Sequence, residues 1–189
     1  VRTRRSARLD LAAVGRHCKI GDGGVLGLAG AVAHHATESS AVCQIDRIQE
    51  GHELSVFFVD DSTVARKKIA EVMDKLGVTH KHANNGMEAW TRLSGMAAHA
   101  QQAGRPLREE LNLILVDAEM PEMDGYVLTK NIKSDPRFDG IPVVMHSSLS
   151  SEANRAMGKA VGVDSYVAKF DAEALAETMR PLLIRSQRD

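Results

Sequence analysis

The run Leu113-Ile114-Leu115-Val116-Asp117 constrains this chain more than any other stretch. Four branched aliphatic residues in succession describe a strand covered on both faces, as in the interior of a parallel sheet. The run stops at a carboxylate, and Ala118-Glu119-Met120-Pro121-Glu122-Met123-Asp124-Gly125 follows with a proline and an Asp-Gly turn signal. Ligands of open α/β sheets gather just beyond the carboxyl ends of the strands, which makes Asp117 a candidate site residue. A solvated strand-end aspartate would leave the same local trace, so the inference needs a second strand.

Leu54-Ser55-Val56-Phe57-Phe58-Val59 supplies one, and it ends in Asp60-Asp61-Ser62. If the two strands are neighbours, three carboxylates converge on one rim. Like charges so close disfavour full ionisation. A divalent cation compensates them, and an all-oxygen site that retains water suits Mg²⁺.

Formal net charge is −1 over 189 residues, which implies no general attraction to nucleic acid or to an anionic membrane. Residues 1–50 carry seven Lys/Arg against five Asp/Glu, whereas 51–189 carry seventeen against twenty, so the excess acid lies with the strands. Cys18 and Cys43 show no metal or redox spacing, and no apolar stretch has membrane-spanning length. These features point to a reducing, cytoplasmic setting without membrane insertion. The basic start with Val25–Ala33 imitates a secretion signal, but Gly24, Gly27 and Gly30 interrupt it.

Residues 1–52 hold neither helical nor strand periodicity and are expected to form a loosely ordered arm; 53–189 form the folded domain. Gly21-Asp22-Gly23-Gly24 is not a phosphate loop, because no Gly-Lys-Ser/Thr follows, and His34-His35 reads as solvated loop. From Glu53 onward strands and helices alternate five times. Ser62 caps a helix with apolar Ala65, Ile69, Val72, Met73 and Leu76, stopped by Gly77. Val78–Ala83 is a second strand, whose His80 and His82 share an exposed face. Asn84-Asn85-Gly86 opens a second helix, and that helix or a loop after it runs long, through Ser94–Glu110. The Leu113–Asp117 strand, a helix from Gly125 to Lys133, the strand Val143–His146, a helix over Ser151–Val161, the strand Ser165–Ala168 and a helix over Ala172–Ile184 complete the order. Such alternation argues a parallel sheet with helices on both faces.

Successive strand tips therefore carry Asp60/Asp61, Asp117, Ser147 and Lys169, and each residue type has a task in moving a phosphoryl group onto a carboxylate. The acid pair and Asp117 hold Mg²⁺. Asp117 is the nucleophile and phosphoacceptor. Lys169 is a point charge for phosphate or carboxylate, and the Ser147 hydroxyl donates to phosphoryl oxygens.

Val59-Asp60-Asp61-Ser62, Val116-Asp117 with Met120-Pro121 and Met123-Asp124-Gly125, Ser147, and Tyr166-Val167-Ala168-Lys169 together resemble a response-regulator receiver domain, CheY-like, from residue 54 to about 184. Within that family, Glu119–Tyr126, Ile132–Phe138, His146-Ser147-Ser148-Leu149-Ser150 and Ala168-Lys169-Phe170 are similar to the receiver of CheV-type chemotaxis coupling proteins. The resemblance implies a flavodoxin-like five-stranded parallel sheet of order 2-1-3-4-5. It implies Mg²⁺ on Asp61, Asp117 and the Glu119 backbone carbonyl with Asp60 assisting, and phosphorylation of Asp117 by a histidine kinase of the CheA kind. It further implies a switch in which Ser147 and Tyr166 move and alter the face of the fourth helix, fifth strand and fifth helix. Phe170 stands where most receivers have proline, and a trans bond is expected there. A CheW-like coupling domain upstream, and with it contact to a chemoreceptor–kinase complex, would need more than fifty irregular residues. The chain is then a fragment, or its first part is altered.

The leading expectation is a phosphoacceptor switch in chemotaxis signalling or adaptation, rather than an enzyme. The alternatives are a Mg²⁺-dependent phosphohydrolase with an Asp nucleophile, which would want Asp-x-Asp where Asp117-Ala118-Glu119 stands, and an unphosphorylated interaction module. The end of the chain at Asp189 leaves no room for a DNA-binding domain.

Overall fold

The computed structural model describes residues 48, 53–148 and 151–185. What was expected of the arm over residues 1–52, its glycine and histidine runs included, lies outside the described residues except at Ile48. Five strands, β1 (Ser55–Val59), β2 (Thr79–Ala83), β3 (Leu113–Asp117), β4 (Val143–Ser147) and β5 (Ser165–Ala168), form one sheet in the order β2-β1-β3-β4-β5. Every neighbouring pair is parallel, and the register sets Val59 beside Val116 and Asp117 beside His146. This is the flavodoxin-like order implied above.

Alternation along each strand divides the core in two. Phe57, Val59, Ile114, Val116 and Val143 point to one face with residues of α2 (Gly86–Gln102) and α3 (Gly125–Ser134). Val56, Phe58, Leu113, Leu115 and Val144 point to the other, with α1 (Thr63–Leu76) and α5 (Ala172–Arg185). Every residue of β3 is buried, as a central strand covered twice must be. Ile48 joins the second cluster, and its N–H donates to the Leu76 carbonyl at 3.0 Å.

Local chemistry sets the helix ends at the site. Ser62 Oγ accepts from the Ala65 N–H at 3.3 Å, and Gly77, at φ 73°, closes α1 in the left-handed region. Asp124 Oδ1 accepts from the Val127 N–H at 2.8 Å to start α3. The long stretch before the third strand is mainly helix: α2 continues to Gln102, and a short 3-10 turn at Leu107–Glu109 follows. Ser147 is the last residue of β4 rather than the residue after it. The remaining helix, α4 (Glu152–Ala160), buries only Gly158, so it has little apolar area holding it to the sheet.

His80 and His82 lie on edge strand β2, His82 stacked on Phe58 with ring centroids 5.4 Å apart, and they form no metal-holding group among the described residues. Phe170 is trans, as expected, and adopts φ 66°, unusual for a bulky aromatic; Lys68 Nζ sits 4.8 Å from its ring centroid.

Candidate functional site

Because β1 and β3 are neighbours, their tips deliver Asp60, Asp61 and Asp117 to one place. One oxygen of each lies within 4.8 Å of the others; Asp60 and Asp117 are buried and Asp61 is exposed. Backbone N–H groups hold the buried pair: Ser62 donates to Asp60 Oδ1 at 2.8 Å, and Glu119 to Asp117 Oδ1 at 3.0 Å. From α1, the Arg66 guanidinium donates to the carbonyls of Asp60 and Asp61 at 2.8 and 3.0 Å, fixing the loop that carries both acids.

Lys169 enters from the end of β5. Its Nζ donates to Asp117 Oδ2 at 2.7 Å and lies 3.2 Å from Asp60 Oδ2, with the side chain 8% exposed. The backbone N–H of Lys169 donates to the Ser147 carbonyl at 2.9 Å, tying its strand end to β4. Burial pushes the Asp117 carboxyl up to about 6, against the opposing pull of Lys169 and the Glu119 N–H. Asp60 is raised for the same reason. Burial works against the charge on Lys169, but its contacts with Asp117 and Asp60 outweigh that and raise its pKa.

One ammonium among three carboxylates leaves net negative charge in a partly buried, all-oxygen donor set. Asp60 Oδ2 makes no directed hydrogen bond. That is the environment a hard divalent cation takes, and the residues present fit Mg²⁺.

Ser147 is fully buried on β4, one strand from Asp117. Glu119 points its side chain across the mouth of the site, where Oε2 accepts from Ser148 Oγ at 2.7 Å. Tyr166 is half-buried on β5, with Arg155 5.3 Å above its ring. Its ring also faces Gly158 of α4. Tyr126, in the first turn of α3, interacts directly with Tyr166 and donates to the Asn154 carbonyl at 3.4 Å; burial first, then Tyr166, pushes its phenol up to about 12. The sequence assigns no individual role to Arg66, Ser148, Tyr126 or His146; the last three stand in it only as members of longer motifs.

Alternating strands and helices with acids, hydroxyl and lysine at the strand ends define a flavodoxin-like α/β module with an acidic site at the carboxyl ends of its strands. Residues 56–180 match the response regulator receiver domain family, and the chain belongs to it. Chemotaxis protein CheV3 of Helicobacter pylori is 36% identical over 138 residues, which span 73% of this chain and 43% of that protein. The chain thus covers less than half of that relative. Chemotaxis protein CheY1 of the same organism is 30% identical over 132 residues, 69% of this chain and 97% of that protein. Among solved structures, chemotaxis response regulator CheY4 of Vibrio cholerae aligns with a TM-score of 0.56 at 26% identity, covering 69% of this chain and 99% of that one. The receiver domain of the histidine kinase CKI1 from Arabidopsis thaliana, complexed with Mg²⁺ and BeF₃⁻, aligns at 0.62 and 25%, covering 68% of this chain and 89% of that one. This chain is accordingly a receiver of the CheY/CheV type.

Proposed function

We propose that residues 53–189 accept a phosphoryl group on Asp117 from a phosphohistidine of a CheA-like histidine kinase and work as a switch in chemotaxis signalling or adaptation. The observation that carries this reading is the hold on Asp117: one carboxylate oxygen on the Glu119 N–H, the other on Lys169, beside two further acids. With a pKa near 6, Asp117 is largely ionised at neutral pH and can act as nucleophile. Its oxygen forms the new O–P bond as the donor's N–P bond breaks.

Asp61, Asp117 and the Glu119 carbonyl, with Asp60 assisting, would hold Mg²⁺, which when bound offsets charge on the phosphoryl oxygens. Lys169 neutralises the remaining charge on Asp117. The Ser147 hydroxyl is the donor that the phosphorylated state draws toward the phosphoryl group. Tyr166 then repacks against α4, whose sparse burial makes it the mobile partner, and the α4–β5–α5 face changes. This is a shift between two packings of one fold.

The phosphohydrolase alternative gains nothing from Glu119, whose carboxylate is engaged by Ser148. Contact with a chemoreceptor–kinase complex, and a cytoplasmic location, are part of this proposal and are supported by similarity to CheV and CheY proteins. Among the described residues no helix is long and apolar enough to cross a membrane.

Incubation with Mg²⁺ and acetyl phosphate, followed by intact mass, tests the proposal. One phosphoryl adduct on the parent and none on Asp117→Ala is expected. Steady release of phosphate without an adduct would favour the hydrolase, and neither signal in a folded, Mg²⁺-binding protein would favour an unphosphorylated interaction module.

A further inference from the structure

β4 runs Val143-Val144-Met145-His146-Ser147, and an apolar side chain at 146 would extend the core without cost. His146 is instead an imidazole, 3% exposed, and a buried polar ring is retained at little cost only where it is bonded. Its ring hydrogen-bonds the backbone carbonyl of Val59, the residue before Asp60. Val59 is on β1 and His146 on β4, with β3 between them, so the side chain spans a whole strand. The strand it crosses is the one bearing Asp117, which is also His146's backbone neighbour in register.

The second ring nitrogen, Nε2, stands 3.5 Å from Asp60 Oδ2, and neither atom makes a directed hydrogen bond. An imidazole that donates one N–H to a carbonyl presents a lone pair on its other nitrogen. A lone pair facing a carboxylate oxygen is tolerated because positive charge lies alongside: Lys169 Nζ is 3.2 Å from the same oxygen.

We infer that His146 is a positioning residue of the cation site, bracing the Val59 carbonyl from β4 and so holding the backbone that carries Asp60 against the strand that carries Ser147. It touches no phosphoryl group and acts through Asp60. The inference rests on the proposed reading only in that the acids hold a divalent cation; it does not require phosphoryl transfer.

The test uses the full chain with His146→Leu, His146→Asn and His146→Gln, each checked for folding by thermal unfolding. Asn carries its amide N–H near the position of Nδ1 and can keep the Val59 bond, whereas Gln carries its own nearer Nε2. Mg²⁺ affinity is measured by titration calorimetry, and amide hydrogen exchange at Asp60–Ser62 is followed in the metal-free protein. Expected are Mg²⁺ binding weakened by about tenfold or more in the Leu variant, faster exchange at Asp60–Ser62, and recovery of most of both in the Asn variant. A folded Leu variant with parental affinity and parental exchange would overturn the inference. If the Leu variant does not fold, Asn binding Mg²⁺ more tightly than Gln supports the brace, and equal weakening of the two overturns it. A parent that binds Mg²⁺ but takes up no phosphoryl group would defeat the phosphoacceptor reading alone. A parent that binds no Mg²⁺ would defeat the cation reading, and with it this inference.

Discussion

Gly125 opens α3 against the backbone of Asp117 itself: a β-carbon at residue 125 would fall under 3.0 Å from the Asp117 carbonyl oxygen, a separation real side chains do not show. The obstacle is backbone on both sides, so neither can give way cheaply. Gly125→Ala is expected to cost about 1–3 kcal/mol, the usual range for overpacking, and to displace Asp117. Gly95, in the middle of α2, is the control, since a β-carbon there meets nothing within 4 Å. Gly95→Ala should stabilise by about 0.5–1 kcal/mol through helix propensity alone. Urea unfolding of both variants, with acetyl phosphate labelling of the first, checks the pair.

The acid pocket makes stability depend on pH in a direction opposite to that of paired surface carboxylates. Asp117 is raised to about 6 from an ordinary value of 3.8, so the folded metal-free protein binds this proton more tightly than the unfolded chain does. Its contribution is present below pH 4 and is lost as pH rises through 6, on the order of 2–3 kcal/mol for a shift of this size. Metal-free protein should therefore melt higher at pH 5 than neighbouring charges alone would dictate, and Asp117→Asn should raise the melting temperature at pH 7.5. Mg²⁺ competes with the same proton. Its stabilising effect should be large at pH 7.5 and much reduced at pH 5, by thermal unfolding with and without the cation. Equal Mg²⁺ stabilisation at both values would show that Asp117 is not a ligand.

Most of this architecture was legible because parallel strands leave an unusual trace. Leu113–Val116 can be apolar throughout only if both faces are covered, and its ending in Asp117 carries the site with it. The ambiguity over Ser94–Glu110 had a local cause: Gly95 weakens helical propensity within an alanine-rich stretch, and packing of Ala97 and Ala100 on the core decides for helix. What could not be read were contacts set by sheet order and side-chain reach. His146 stands within an apolar run, and only the placement of β1 two strands away gives its ring a partner. Arg66 reads as one more charge on a helix until its guanidinium is seen to meet the two carbonyls of the acid loop. Tyr126 and Tyr166 are forty positions apart and meet only because the fold brings the first turn of α3 and strand β5 together beside α4.

That tyrosine pair leads to a prediction for the switch face. Tyr126 joins α3, Tyr166 on β5 and the Asn154 carbonyl of α4, and α4 has little else to hold it. Tyr126→Phe keeps the ring and removes the hydroxyl, at a cost of roughly 1 kcal/mol for a neutral hydrogen bond. Amide exchange in α4 should quicken by about fivefold, which is that energy expressed as a local opening equilibrium, while β1 and β3 remain protected. Exchange quickened equally throughout the sheet would mean that the hydroxyl stabilises the whole fold and not this face.

Glu119, two residues after Asp117, and Ser148, the residue after Ser147, form an exposed hydrogen-bonded pair. Glu119 accepts from the Ser148 hydroxyl at 2.7 Å, and on the proposed reading its carboxylate would disfavour attack of water on the phosphoryl group. Glu119→Ala removes the charge and is expected to shorten the lifetime of the phosphorylated protein several-fold. Ser148→Ala leaves the charge but frees the side chain to swing away, and should shorten the lifetime less. If one contact underlies both effects, the double variant decays no faster than Glu119→Ala alone, because removing a partner of an absent group changes nothing. Decay of the acetyl-phosphate-labelled protein, followed by intact mass after removal of the donor, measures all four rates. Independent, multiplying effects would place the action of Ser148 elsewhere than on Glu119, and a lifetime unchanged in Glu119→Ala would remove the carboxylate from any part in shielding the phosphoryl group.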